Sequence, residues 1–407
     1  MDDVPEPPTT PVRSIRTALG DFVRDETAGG IVLLAATVAG LLWANVAGSG
    51  YTSFWSHSVD FRLAGIHSHE TYTELVNDGL MAIFFFVVGL EIKRELVVGE
   101  LRDRRAAALP LAAAVGGMVV PALIFVAVNA GHPELRHGWA IPIATDIAFV
   151  MGVIALLGRR VPPALRLFLL TLAIVDDIGG ILVIAFVYTD DLRVLWLLGA
   201  VGCVAVVVGM RLLGVHQIWP YVLVGVPFWF CTLESAVHAT IAGVILGLLT
   251  PARPLDGRPV LEELEHHLHP ISAFVVVPLF ALANTGIVLS AGQVSDAVGS
   301  TLAWGIVLGL LVGKPVGIAV GAWVARAANI GRLPDGMTFV HVIGGGLLAG
   351  IGFTVALFIT DLSIGTGPIG DLAKLAILVA SASAAVLGAG YLLVFSRRSD
   401  SSVPRSE

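Results

Sequence analysis

The sequence predicts an all-α polytopic membrane protein with about 12 transmembrane helices. Composition is the first reason. Of 407 residues, 56% are hydrophobic and only 14% are charged, where a soluble domain carries about 25% charged residues; mean hydropathy reaches +0.87. Spacing is the second. Apolar windows long enough to cross a bilayer recur at 28–47, 73–92, 107–130, 138–157, 164–188, 194–213, 217–233, 235–250, 271–290, 301–325, 337–360 and 371–395. The third is the placement of basic residues. With these windows as spans, 19 Lys and Arg lie on the side of the termini and 3 on the other, which puts both termini in the cytoplasm. The net charge of −7 does not bear on orientation, which follows Lys and Arg placement.

Along the chain, residues 1–27 begin MDDVPEPPTTPVRS, too acidic and proline-rich for a signal peptide. They read as a disordered cytoplasmic tail, as does SRRSDSSVPRSE at 396–407. Residues 28–395 form the twelve-span domain. Its longest outer loop, 48–72, leads into SVDFRLAGIHSHETYTE, which alternates roughly around a glycine. That predicts a short outer β-hairpin, with an irregular loop as the alternative. A lone hairpin is marginal in water, so a second copy of the chain is an expected partner beside membrane lipid. Spans seven and eight are barely separated, by Glu234 and Ser235. Cys203 and Cys231 sit in apolar runs as small buried residues, without disulfide or metal-ligand spacing.

Most of the 46 glycines read as close-packing positions between helices. Two places differ. In span four, Pro142 precedes Ala144, Thr145 and Asp146. In span eleven, Gly344, Gly345, Gly346, Gly350 and Gly352 precede Phe353 and Thr354. Both segments free backbone groups that only a polar cavity can satisfy. Spans three to five and ten to twelve then form matching units, each with an interrupted middle helix, the sequence signature of a transporter's central site. Kinked but continuous helices are the alternative. Half-helix ends meeting at mid-membrane need charge compensation, which Asp146 and Lys314 are placed to provide.

Charged residues inside spans point to function. Asp176 and Asp177 stand together in LTLAIVDDIGGILVIAF. A mid-membrane acid costs roughly 2.5–3.5 kcal/mol on insertion scales, and the chain also carries Asp146 and Lys314. The usual reason for such residues is a cation or proton path. Adjacent residues on a helix point about 100° apart, so both aspartates line one cavity only if it wraps the helix. Neighbouring carboxylates in a low dielectric resist double ionisation. They can hold protons when empty and a hard cation such as sodium when ionised, with Thr145 and backbone carbonyls as further oxygen ligands. A buried acid pair that merely holds helices together is the structural alternative. Lys314 needs a carboxylate, Asp176 or Asp146, to remain charged, and Pro315 should break the ladder beside it. A purely structural ion pair is the alternative to a proton-carrying lysine.

A second acidic group is expected at the cytoplasmic end of span two: Asp78, Glu91 and Glu95, interleaved with Lys93 and Arg94. Glu265, His266, His267 and His269 are expected in the linker before span nine, where they would sense proton activity or form a solvated loop. His238 reads as a packing histidine or a sensor.

The ordered motifs MAIFFFVVGLEIKREL, GWAIPIATDIAFVMGVIALLG, LAIVDDIGGILVIAFVYT, VHATIAGVILG, LEHHLHP, PLFALANTGI, GLLVGKPVGI and GIGFTVALFI resemble the NhaA family of bacterial sodium/proton antiporters, from about residue 25 to 395. The family is itself a type example of inverted repeats. The resemblance implies two inverted repeats whose interrupted spans, four and eleven, cross at mid-membrane. It implies Asp176 and Asp177 as ion-binding acids, Thr145 and Asp146 in the unwound part of span four, and Lys314 as partner of the first aspartate. It also implies pH-response roles for Glu91, Arg94, Glu95, Glu265 and His238, electrogenic exchange of sodium or lithium for protons, and dimers through the outer hairpin. No cofactor is expected beyond the transported ions, and no nucleic acid or organic substrate. The long N-terminal tail and the hairpin match the family poorly.

Three other classes fit the residues less well. A sodium-coupled symporter needs extra polar groups for its solute. An intramembrane aspartyl protease needs two acids facing each other across a water, which adjacent residues cannot easily do. A retinal protein on Lys314 would need seven spans and more aromatics.

Overall fold

The computed structural model describes residues 11–63, 66–189, 192–215, 217–252 and 259–399, and the chain is 82% helical. Helix α1 (Pro11–Ala47) is one 37-residue helix. The expected N-terminal tail is therefore helical from Pro11 onward: past the proline cluster the chain offers Ala, Leu and Arg, and proline is well suited to a first helical position. Residues 1–10 and 400–407, the remainder of the two expected tails, lie outside the described residues.

The outer loop opens with a short helix that the sequence reading did not include, α2 (Ser49–Trp55). Its Tyr51 and Trp55 are buried, and Tyr51 packs edge-on against Trp43 at 5.3 Å. Strands β1 (Ser58–Leu63) and β2 (Ile66–Thr71) follow, antiparallel, with register from Ser58 opposite Thr71 to Leu63 opposite Ile66. The turn at 64–65 lies outside the described residues. A capping box between Thr71 and Glu74 then starts α3 (Tyr72–Val97).

The remaining helices are α4 (Arg104–Val128), α5 (Pro133–Ile143, a 3₁₀ segment), α6 (Ile147–Leu157), α7 (Pro163–Val187), α8 (Val194–Leu212), α9 (Ile218–Glu234) and α10 (Thr240–Leu249). After them come α11 (Val260–Asn284), α12 (Ala291–Gly299), α13 (Thr301–Ala327), α14 (Phe339–Ala349), α15 (Phe353–Ser363) and α16 (Pro368–Ser399). Among the described residues, eight helices are long and apolar enough to span a membrane. The count is ten when each bent pair, α5 with α6 and α14 with α15, is one span. Shorter α9 and α10 stand where the seventh and eighth spans were expected. Large apolar side chains such as Phe186, Leu195 and Leu212 are exposed on the outer faces, as lipid-facing surfaces require.

Two expectations need correction. Helix α11 starts at Val260 and ends at Asn284, so Glu265 and the histidines are on a helix and not in a linker. The first turns are amphipathic: Leu261 and Glu265 are buried while Glu262, Glu263, His266 and His267 are exposed. That exposed polar face hid the segment from an apolar window. At Lys314 the helix does not break. A π-helical stretch, Gly309–Gly313, precedes it and the α-helix resumes with Pro315 in its first turn, where the missing N–H costs least.

Small residues bring the site elements together. Gly116 on α4 and Gly317 on α13 face each other so closely that a Cβ on either would run into the other's backbone. This approach carries Lys314 into the middle of the bundle, where it is 0% exposed.

Candidate functional site

The two bent pairs meet at their breaks. After α5 the chain extends at Ala144 (φ −77°, ψ 150°) and turns into α6 at Asp146; the axes differ by 42°. The pair α14–α15 is interrupted at Gly350, Ile351 and Gly352 and bends by 48°. The Asp146 N–H donates to Ile351 O at 2.7 Å, joining one break to the other.

Asp146 caps both outgoing half-helices. Its Oδ1 accepts from the Phe149 N–H at 3.1 Å. Its Oδ2 accepts from the Thr354 N–H at 3.0 Å and the Thr354 hydroxyl at 2.7 Å. Two helix N-termini, each equivalent to roughly half a positive charge, thus share one carboxylate.

Thr145, Asp176 and Lys314 form a closed triangle at the same level. Lys314 Nζ lies 2.5 Å from Asp176 Oδ2 and 2.8 Å from Thr145 Oγ1. The Thr145 hydroxyl lies 2.8 Å from Asp176 Oδ2 and 3.1 Å from Ala349 O, at the end of α14. Lys314 therefore reaches the C-terminal carbonyls of the crossing through Thr145. All three side chains are buried. A buried ion pair of this kind gains little net stability, yet removing one partner strands a charge. The second oxygen, Asp176 Oδ1, is buried without a hydrogen-bond partner. An orphaned acceptor beside a lysine is a place for a proton or cation.

Asp177 points elsewhere. It lines a cavity of about 70 Å³ together with Glu91, Arg94, Thr145, Asp146, His269 and Thr354, room for a few waters. Only the second aspartate therefore lines the cavity, while the first is held by Lys314 and Thr145.

Arg94 pairs with Glu265 and approaches Glu95 at 3.6 Å, so Glu91, Arg94, Glu95, Glu265 and His269 gather at the cavity's mouth. His266 is exposed and lies edge-on to His267. Asp78 does not belong to this group. It lies in the first turns of α3, thirteen residues before Glu91, which is about 20 Å along a helix, and the acids that act on it are Glu70 and Glu74. Spacing along one helix was mistaken for proximity. His238 sits in the break between α9 and α10, where its Nε2 lies 2.8 Å from Tyr188 O. Tyr188 caps the end of α7, and His238 is not among the residues that line the cavity.

The sequence reading passed over Thr354 and three backbone groups, Ala349 O, Ile351 O and the Thr354 N–H. A threonine just past each break, Thr145 and Thr354, was the available signal. It also passed over a buried network of Asn77, Asn284, Asp361 and Lys374.

The fold and this site define a polytopic helical membrane protein with charged groups buried where two interrupted spans cross, an architecture of secondary transporters. Comparison with known proteins narrows the class. The family model described as Na+/H+ antiporter 1 matches residues 20–392. The chain is 46% identical over 380 residues to the Na(+)/H(+) antiporter NhaA of Shigella dysenteriae serotype 1 (strain Sd197), covering 92% of this chain and 97% of that protein. The same identity and coverage hold for the Na(+)/H(+) antiporter NhaA of Escherichia coli O157:H7. The chain belongs to the Na+/H+ antiporter 1 family.

Proposed function

We propose that this chain exports sodium or lithium in exchange for protons, electrogenically and under pH control, by competition of cation and protons for Asp176 and Asp177. The observation that carries this reading is the orphaned, buried Asp176 Oδ1 beside Lys314 and next to an Asp177 that lines a cavity. A cation entering by that cavity meets Asp177 first. Moving on to Asp176, it competes with the Lys314 ammonium for the same carboxylate. Protons and sodium cannot hold one oxygen together, so cation binding releases protons. Loss of two protons per sodium, one from Asp177 and one from the Asp176–Lys314 pair, moves net charge in each cycle.

The same reading gives the neighbouring residues supporting roles. Asp146 keeps the two half-helix N-termini paired while the site empties and fills. Glu91, Arg94, Glu95, Glu265 and His269 set the potential at the mouth and make entry pH-dependent. Two inverted repeats rock around the crossing to alternate access. The chain lies in the bacterial plasma membrane with both termini in the cytoplasm, the reading of the basic-residue bias, and dimerises through strands β1 and β2, whose hairpin is too small to stand alone.

The test is sodium-induced proton release from purified protein at several pH values. The apparent sodium affinity should weaken as pH falls, by about tenfold per pH unit for each competing proton. Asp176→Asn and Asp177→Asn should each lose release and exchange by at least about a hundredfold, the scale of an abolished ion contact in a buried site. Near-normal exchange in either variant refutes the site.

A further inference from the structure

The ion site leaves one buried polar network unused, at the hairpin end of the bundle. Lys374 Nζ on α16 lies 2.7 Å from Asp361 Oδ1 on α15, with both side chains 9% exposed. Asn77 on α3 and Asn284 on α11 exchange side-chain amide bonds of 2.8 and 3.4 Å, and Asn284 Nδ2 is anchored on Phe280 O at 3.0 Å. Asn77 Nδ2 also donates to Asp361 Oδ2 at 3.3 Å. About one turn nearer the crossing, the buried Phe358 ring packs against Phe85 and Phe280 at centroid distances of 5.4 and 6.3 Å.

These contacts divide by the walls they join. The Asn77–Asn284 pair holds α3 to α11, and the Asp361–Lys374 pair holds α15 to α16. The Asn77–Asp361 bond and the ring contacts pass between the two walls. At the opposite end the same walls stand apart around the cavity: Glu91, Arg94 and His269 come from α3 and α11, while Thr354 and Val355 come from α15. The bundle is therefore parted at one end and closed at the other along a single seam.

We infer that the Asn77–Asp361 bond is a latch on this seam, and that it must open before the ion site can face the hairpin end. The inference rests on the alternating-access reading above. Its physical basis is the arrangement of partners. Opening the bond strands no buried charge, because Asp361 keeps Lys374 and Asn77 keeps Asn284. Breaking either pair within a wall would leave an unmatched buried group, a far larger cost. The walls stay intact while the seam gives way at its weakest polar contact. Phe358, Phe85 and Phe280 then form the apolar plug behind the latch, whose parting leaves no polar group without a partner.

The experiment uses the full chain in proteoliposomes, with Cys203→Ser and Cys231→Ser and a reporter, Val355→Cys, on the cavity wall. A membrane-impermeant maleimide is added to the hairpin face and the labelling rate is measured. Asn77→Ala should raise that rate about tenfold, the equivalent of one hydrogen bond to a charged group. Asn77→Asp, which sets a carboxylate against Asp361, should raise it further. Asn284→Ala removes a bond within one wall and should change labelling less than about twofold. The latch is overturned if Asn77→Ala and Asn77→Asp label at the parental rate, or if Asn284→Ala labels as fast as Asn77→Ala. Neither outcome touches the antiport reading, which instead fails if Asp177→Asn retains sodium-dependent proton exchange.

Discussion

The two interrupted spans bend by similar angles, 42° and 48°, but they contribute different chemistry. The break between α5 and α6 supplies side chains, the Thr145 hydroxyl and the Asp146 carboxylate. The break between α14 and α15 supplies mainly backbone: Ala349 O, Ile351 O and the Thr354 N–H, joined by one hydroxyl. The causes lie in the residues. The 3₁₀ segment stops at Ile143, one residue past Pro142, and Ala144 is extended, so the next side chains turn toward the partner. Gly350 and Gly352 carry no side chain, so the second break lets a neighbour come close. A Cβ at Gly350 would lie 2.5 Å from Leu310 O. One break is a chemical group and the other is a socket for it. Substitutions should therefore act through lost partners at the first break and through lost space at the second.

The largest effect should fall on the first break. Asp146→Ala leaves two N–H groups and a hydroxyl without their shared acceptor, at about 1–3 kcal/mol each. Calorimetric or detergent-melt stability should drop by several kcal/mol and exchange should be lost. A variant as stable as the parent would mean that the second break holds itself together. Lys314→Ala should come next. It strands Asp176, a loss of about 3–5 kcal/mol where that carboxylate is ionised. Because a proton on Asp176 removes the stranded charge, the stability loss should shrink as pH falls and grow as pH rises. A pH-independent loss would show that Asp176 does not feel the missing ammonium. Exchange should fall less than in Asp176→Asn, since the carboxylates remain.

Gly350→Ala probes the socket. Overpacking against the Leu310 carbonyl should cost about 1–3 kcal/mol, read as a lower melting temperature with sodium affinity little changed. The smallest effect should come from Thr354. Thr354→Val removes one hydroxyl donor from a carboxylate that keeps the Thr354 N–H, so the loss should sit at the low end for such a bond, about 1.5 kcal/mol. Thr354→Ser restores the donor and should recover most of the loss. If serine fails to rescue valine, the Thr354 methyl matters more than the bond, and the division between chemical group and socket is wrong at that position.

Much of this was legible in the chain. Intramembrane Asp146, Asp176, Asp177 and Lys314 are conspicuous because bilayer insertion penalises each one, and the structure brings all four to one crossing. The hairpin was legible from alternation around Gly65. Asp78 was grouped with Glu91 and Glu95 on sequence nearness, which along a long helix says little about which end of a bundle a residue occupies. Thr354, Asn77 and Asn284 were passed over because an uncharged polar residue in a span costs little and leaves no strong mark. Nothing in the chain order joins Lys374 to its partner, which is thirteen residues earlier on another helix.

The amino-acid order alone determined that this chain lives in a membrane and which charged residues had to be compensated there. Those conclusions follow from transfer free energies, which belong to each residue separately. Which acid takes Lys314, which one opens to the cavity, and that Asn77 closes the seam on Asp361 were decided only by the packed bundle. Partner choice depends on distances and directions between helices, and those arise when small residues such as Gly116 and Gly317 let backbones meet.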